Sequence, residues 1–257
     1  MSTVGLALRQ VRFENKSFWR NPAAAYFTFA FPIVFLILFN LLFGHGHLNF
    51  LGHSVSTSTF YVPAIAAFSV ITACFTNVAM NVVFARDQGV LKRKRGTPMR
   101  PLAYLAGKIV HSCLISVLLV AIIAGLGKLI YGVSLPGHTL PAFLVAIAVG
   151  ALSFSAMGMA MTAAIPNADA APAVVNAVIL PLLFISDIFI PLNNAPKWLG
   201  TLANVFPVRH FSIAMQHAFN PFETGSGFRG MDLLIMGVWG LAGLILAIRY
   251  FRWEPRR

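Results

Sequence analysis

The nearest approach to a nucleotide-binding motif in this chain is Gly125-Leu126-Gly127-Lys128-Leu129, and it fails on residue type. A phosphate loop needs glycines that let the backbone cradle phosphate and a hydroxyl after the lysine to hold magnesium. Here Ile122 stands where the first glycine belongs and Leu129 where the hydroxyl belongs. There is no Gly-x-Ser-x-Gly elbow and no His-Glu-x-x-His pair, so the sequence assigns no catalytic residue. Cys74 and Cys113 lie in apolar runs without Cys-x-x-Cys spacing, which points to buried thiols and to no metal or disulfide site. His45, His47 and His53 share a Gly- and Ser-rich stretch with no acidic or thiolate partner, a poor metal set. Three other groups carry more weight. One is the basic run from Arg86 to Pro98, dense enough to be gripped by a soluble partner. The second is Ser69, Thr72, Thr76, Asn77 and Asn81 within one apolar run, and the third is Asn176, Phe184 and Asp187 within another.

The elements that position these groups follow from composition. With 58% hydrophobic and 10% charged residues among 257, and a mean hydropathy of +0.78, the chain has too little polar surface to cover a water-soluble globule. A bilayer core about 30 Å thick needs roughly 20 residues of helix. Six apolar runs are near that length: Tyr26 to Phe43, Phe60 to Ala85, Leu105 to Tyr131, Leu140 to Ile165, Ala171 to Ile190 and Leu233 to Phe251. They are continuously apolar and do not alternate, so an all-α polytopic membrane bundle of six transmembrane helices is expected, and no barrel. Residues 1–24 are assigned to an N-terminal helix and 25–257 to one six-span domain.

Orientation comes from charge. Of the 19 Lys and Arg, fifteen precede the first run, surround the Arg86–Lys108 segment or end the chain. Positive loops stay in the cytoplasm, so both termini are expected there, in a multi-pass protein of the cell membrane. The net charge of +12 does not argue for nucleic acid, because every basic cluster adjoins a span. The first 20 residues lack the apolar core of a signal peptide, which leaves the first span as the insertion signal. On a helical wheel Val4, Ala7, Leu8, Val11, Phe18 and Trp19 share a face opposite Arg9, Arg12, Lys16 and Arg20. This segment is expected to lie as an amphipathic helix in the headgroup layer, until Asn21-Pro22 turns the chain inward.

Two polar faces remain inside the spans. Ser69, Thr72, Thr76, Asn77 and Asn81 cover about half the circumference of span two, as a face turned from lipid would. Asn176 and Asp187, eleven residues apart on span five, fall about 20° from each other with Phe184 nearby. An ionisable group in a span is costly unless paired or wetted, and Lys128 is the expected partner of Asp187. Ala156, Ala160 and Ala164 on span four and Gly237, Gly240 and Gly243 on span six suggest close helix packing. Between spans five and six, residues 195–220 hold two runs of short-helix length separated by Pro207, which fit external re-entrant helices.

The chain resembles the ABC type-2 exporter permeases, particularly the daunorubicin-resistance-like group. The resemblance rests on Asp87-Gln88-Gly89-Val90-Leu91 followed by Thr97-Pro98, on Gly107-Lys108 entering span three, and on the segment Phe189 to Leu199 with Phe206-Pro207 beyond it. It departs at Asp87, usually Glu in the family, and at Asp187, where many members have a small residue. The resemblance implies a transport subunit that binds no cofactor, with ATP and magnesium on a separate ATP-binding subunit. That partner would dock on a coupling loop over 86–101. The residues implied there are Arg86, Asp87, Gly89, Leu91, Lys92, Arg93, Thr97 and Pro98, with Leu91 filling a groove on the ATPase. A second permease chain, identical or homologous, is implied as well. The substrate route is expected along spans two and five, through the polar residues named above. Few charges and many Phe favour a hydrophobic or amphipathic cargo such as a drug, antibiotic or lipid. The alternatives are a surface polysaccharide or glycolipid exporter and an ion-gradient-driven secondary transporter, for which Asp187 is almost the sole titratable group near mid-span.

Overall fold

Asn21 is where the chain turns into its first long helix: its side-chain oxygen accepts from the Ala24 backbone N–H at 3.2 Å, and Pro22 occupies the first turn, where no donor is needed. The computed structural model describes residues 3–44, 46–50, 53–96, 101–192 and 195–254. Helix α1 (Thr3–Trp19) precedes this turn and α2 (Pro22–Phe43) follows it. The bulk of the chain is then α3 (Thr57–Ile71), a π-helical turn (Thr72–Thr76), α4 (Asn77–Asp87), α5 (Val90–Arg95), α6 (Pro101–Tyr131) and α7 (Leu140–Met161). It closes with α8 (Ala171–Phe184), α9 (Lys197–Ala203), α10 (Pro207–Ala218) and α11 (Gly230–Tyr250).

Among the described residues five stretches are long and apolar enough to cross a membrane: α2, the continuous rod α3–π–α4, α6, α7 and α11. The expected fifth span differs. Helix α8 has only 14 residues, roughly 21 Å at 1.5 Å per residue, and its helix stops at Phe184. The chain then bends through Ile185–Ile190, and Asp187 takes a left-handed φ of 55°. Pro181 removes one donor from the last turn, and Ser186 donates its hydroxyl to the Leu182 carbonyl, so local bonding ends the helix where hydropathy alone would continue it. The Gly- and Ser-rich stretch after α2 carries a two-stranded hairpin, β1 (His47–Phe50) with β2 (His53–Ser56), pairing His47 with Ser56. His45 lies outside the described residues.

The rod α3–π–α4 is the centre of the bundle, enclosed by α6, α7 and α10, while α2 and α11 lie at the margin with most of their apolar surface uncovered. A π-turn turns carbonyls out of the helical ladder. Gly158 of α7 receives them: a Cβ there would stand 2.6 Å from the Phe75 carbonyl oxygen. Helices α7 and α11 approach as closely, since a Cβ on Gly243 would meet the Met157 backbone at 2.9 Å. Of the glycines expected at this contact, Gly240 and Gly243 make it, whereas Gly237 faces open space. Helix α10 is buried along the face Val208, Phe211, Met215 and Ala218, and Phe211 packs edge-on against Phe154 of α7 at 5.5 Å.

Candidate functional site

At the end of the bundle where the basic residues gather, Gly89 adopts φ 70°, a conformation that suits glycine, and turns the chain from α4 into α5. Arg86, just before this turn, is only 2% exposed. Its guanidinium donates to the carbonyls of Thr162 at 3.0 Å, Ile165 at 2.7 Å and Pro166 at 3.2 Å, gathering three backbone acceptors of the α7–α8 connection. Asp87 lies 3.5 Å from the Arg86 Nε and accepts from the Ala168 backbone N–H ahead of α8. Arg86 and Asp87 therefore bind α4 to the α7–α8 connection, and neither projects freely from the surface. Leu91 departs from expectation more sharply: it is fully buried among Val78, Val82, Tyr104 and Met159, because α5 folds back onto α4 and α6. It cannot serve as a knob on a partner. Lys92, Arg93 and Arg95 form the exposed face of α5. Thr97 and Pro98 lie outside the described residues.

A second cluster joins α1 to this region. Glu14 accepts from the Lys108 ammonium at 2.7 Å and stands 3.7 Å from Lys94 Nζ, which also sits over the rings of Phe13 and Tyr104. Burial works to raise the Glu14 pKa, but Lys108, with Lys94 and His111 adding, outweighs it and holds the carboxyl below the usual value. Burial chiefly pulls Lys94 down, with Glu14 opposing. Gly107 makes the approach possible, since a Cβ there would fall 2.5 Å from the Gln10 side chain. Helix α1 thus has three faces and not two. Gln10 and Glu14 meet α6, Arg9, Arg12, Lys16 and Arg20 are exposed, and the expected lipid face keeps Leu8 and Trp19 uncovered by the chain.

Beneath α1 a cavity of about 430 Å³ opens between α2, the π-turn, α4 and α6. Thr72, Asn77 and Asn81 line it, together with Glu14, Lys108 and His111. Asn77 donates to Thr28 of α2 at 3.4 Å across this seam. The other expected route residues are elsewhere. Ser69 is fully buried and donates to the Ala66 carbonyl within its own helix, and Thr76 is not part of the cavity wall. Asn176 is half-buried and Phe184 exposed on α8, where the Phe184 ring packs on Phe189.

Asp187 is not on the α8 wheel with Asn176, and its partner is not Lys128. The carboxylate, in the bend after α8, takes the Arg209 Nε of α10 at 2.9 Å and the Leu192 N–H at 2.7 Å. Its backbone carbonyl accepts from Ser212 and Gln216. A neighbouring network ties α10 to α11: His210 Nδ1 meets Asp232 at 2.6 Å, and Arg229 reaches the same carboxylate at 2.9 Å. Sequence reasoning missed Glu14, Arg209 and His210. A lone Glu in a basic segment, four residues after Gln10, was the available signal for the first; nothing local marks the others, because their partners are 22 residues away.

A family model described as ABC-2 type transporter matches residues 9–220. The chain is similar to a daunorubicin resistance ABC transporter permease of Streptomyces coeruleorubidus, 27% identical over 86% of this chain and 77% of that one. A probable multidrug ABC transporter permease of Escherichia coli strain K12 is 23% identical over 64% of this chain and 44% of its own length. A putative transport permease of Porphyra purpurea is 25% identical over 75% of this chain and 66% of its own. The chain therefore spans less than half of the E. coli relative. With the family model covering most of the sequence and five helices among the described residues fit to cross a bilayer, the chain belongs to the ABC-2 type transporter family and is a transmembrane component of an ABC transporter.

Proposed function

We propose that this chain is the permease subunit of an ATP-driven exporter that moves a hydrophobic or amphipathic compound, a drug, antibiotic or lipid, out of the cytoplasm or the inner leaflet. Both termini and α5 face the cytoplasm, and α9 and α10 form the external cap. A separate ATP-binding subunit docks on α5 through Lys92, Arg93 and Arg95, and a second permease chain completes the pathway. The observation that carries this reading is the way α5 is fastened. Lys94 reaches Glu14 of α1, Leu91 is locked between α4 and α6, and Arg86 at the preceding turn clamps the α7–α8 connection. A push on the exposed face of α5 would move these elements as one body, which is the requirement for turning closure of an ATPase pair into a change in the spans. Asp87 and Gly89 set the angle of α5 in this scheme, and Leu91 transmits force inward.

The test is a photo-crosslinking amino acid at Arg93, with one at Trp198 as control. Capture of an ATP-binding polypeptide at position 93 and none at 198 is expected; capture at 198 alone would reverse the docking face. The relatives named as drug or multidrug permeases lend the cargo class its support.

A further inference from the structure

The cavity beneath α1 has a composition that selects a ligand. Its charged lining residues, Glu14 and Lys108, are paired at 2.7 Å, so the wall offers no uncompensated charge to an ionic guest. Its body is aromatic: Phe18, Phe27, Phe31 and Phe84 contribute to the walls, and Phe27 is 66% exposed within the chain. His111 is 7% exposed, and its Nδ1 is buried without a hydrogen-bond partner from the protein. The Phe18 ring, edge-on at 5.7 Å, restrains the imidazole. A buried polar atom without a protein partner is unfavourable, and a ligand that hydrogen-bonds to it is favoured. The volume of about 430 Å³ falls within the range of drug-sized sites.

We propose that this cavity is a binding site for an uncharged amphipathic molecule, with an aromatic or aliphatic body held by Phe18, Phe27 and Phe31 and a hydroxyl or amide head bonded to His111 and the Asn77 and Asn81 amides. Access is from the headgroup layer, since α1 forms one wall and carries the uncovered apolar residues Leu8 and Trp19. The assignment rests on the export reading for calling the guest a cargo, and on geometry alone for calling it a ligand.

The experiment uses the full chain in lipid nanodiscs and three alkylnaphthalene probes that differ in the head alone: hydroxymethyl, sulfonate and trimethylammonium. The hydroxymethyl probe is expected to bind saturably and the two charged probes about tenfold more weakly or less. His111→Ala should weaken the hydroxymethyl probe by about tenfold, with His111→Asn recovering part of the loss. A diazirine form of the probe should label 18–31 and 72–84, and excess unlabelled probe should abolish that labelling. An unchanged thermal transition in both variants removes misfolding as the cause. Equal binding of all three probes, undiminished affinity in His111→Ala, or labelling that excess probe does not displace would each overturn the site. Binding at the cavity without ATP-dependent movement of the probe would keep the site and sink the export reading; movement without cavity labelling would do the reverse.

Discussion

Replacing Glu14 with Gln deletes the one carboxylate that holds α1 against α6. At 2.7 Å, and with an effective dielectric of about 20, the attraction to Lys108 is about 6 kcal/mol before desolvation. Both side chains are close to nine-tenths buried, so desolvation takes back roughly half of that or more. Lys108 and Lys94 would then face each other without a counter-ion. The expected loss of docking free energy is about 2–4 kcal/mol, a rise of roughly 30- to 1000-fold in the undocked fraction. The assay places a thiol at Gln10, which is 2% exposed against α6, in a background with Cys74 and Cys113 changed to Ala. Its reaction with a maleimide then reports undocking. Adding Glu14→Gln should speed that reaction by the stated factor, and Lys108→Met on top should restore part of the protection, because the orphaned charge is gone. An unaltered rate in Glu14→Gln, or purely additive effects in the double variant, would refute the assignment of the ion pair as the α1 clasp.

Leu91→Asp should prevent accumulation of folded protein, since it buries a carboxylate in an apolar cluster at a loss of about 3 kcal/mol or more, whereas Lys92→Ala with Arg93→Ala should leave folding intact and reduce recovery of the ATP-binding partner in pull-down. Asp187→Asn keeps the left-handed backbone accessible but removes the Arg209 ion pair, and thermal stability should fall by about 1–3 kcal/mol; the swap Asp187→Arg with Arg209→Asp should recover part of it, while Lys128→Asp should not. The lowered pKa of Glu14 means that its contribution is complete above the ordinary glutamate value of 4.5 and is lost as pH falls through the folded value, so protection at position 10, read as the maleimide rate relative to an exposed cysteine at the same pH, should begin to fall only below pH 4.5 and stay flat from about pH 6 to 8.

The sequence made the long helices legible because continuous apolarity of about 20 residues has few other uses, and the starts of α2, α7, α8 and α10 carried proline in the first turn. Hydropathy could not reveal that α8 stops at Phe184, since Ile185, Ile188, Phe189 and Ile190 continue the apolar run while the backbone bends; Pro181 and the Ser186 hydroxyl end the helix locally, and long-range bonds from Arg209, Ser212 and Gln216 hold the bend at Asp187. The polar face of span two divided for a similar reason. Ser69 and Thr72 both satisfy their hydroxyls on carbonyls of the same rod, but Ser69 is sealed in the bundle, whereas Thr72, Asn77 and Asn81 lie at the π-turn and α4, where the seam with α2 opens. Leu91 misled because a six-residue helix has no periodicity to say which face is covered. Its burial leaves Lys92, Arg93 and Arg95 as the exposed face of α5.

The most direct test of an ATP-driven permease is movement of a fluorescent amphiphile into inverted membrane vesicles that carry this chain with its ATP-binding partner. Uptake that needs ATP, stops with vanadate, survives collapse of the ion gradients and is lost in Lys92→Ala with Arg93→Ala is the predicted result. Uptake that ignores vanadate and ends when the gradients are dissipated would contradict it.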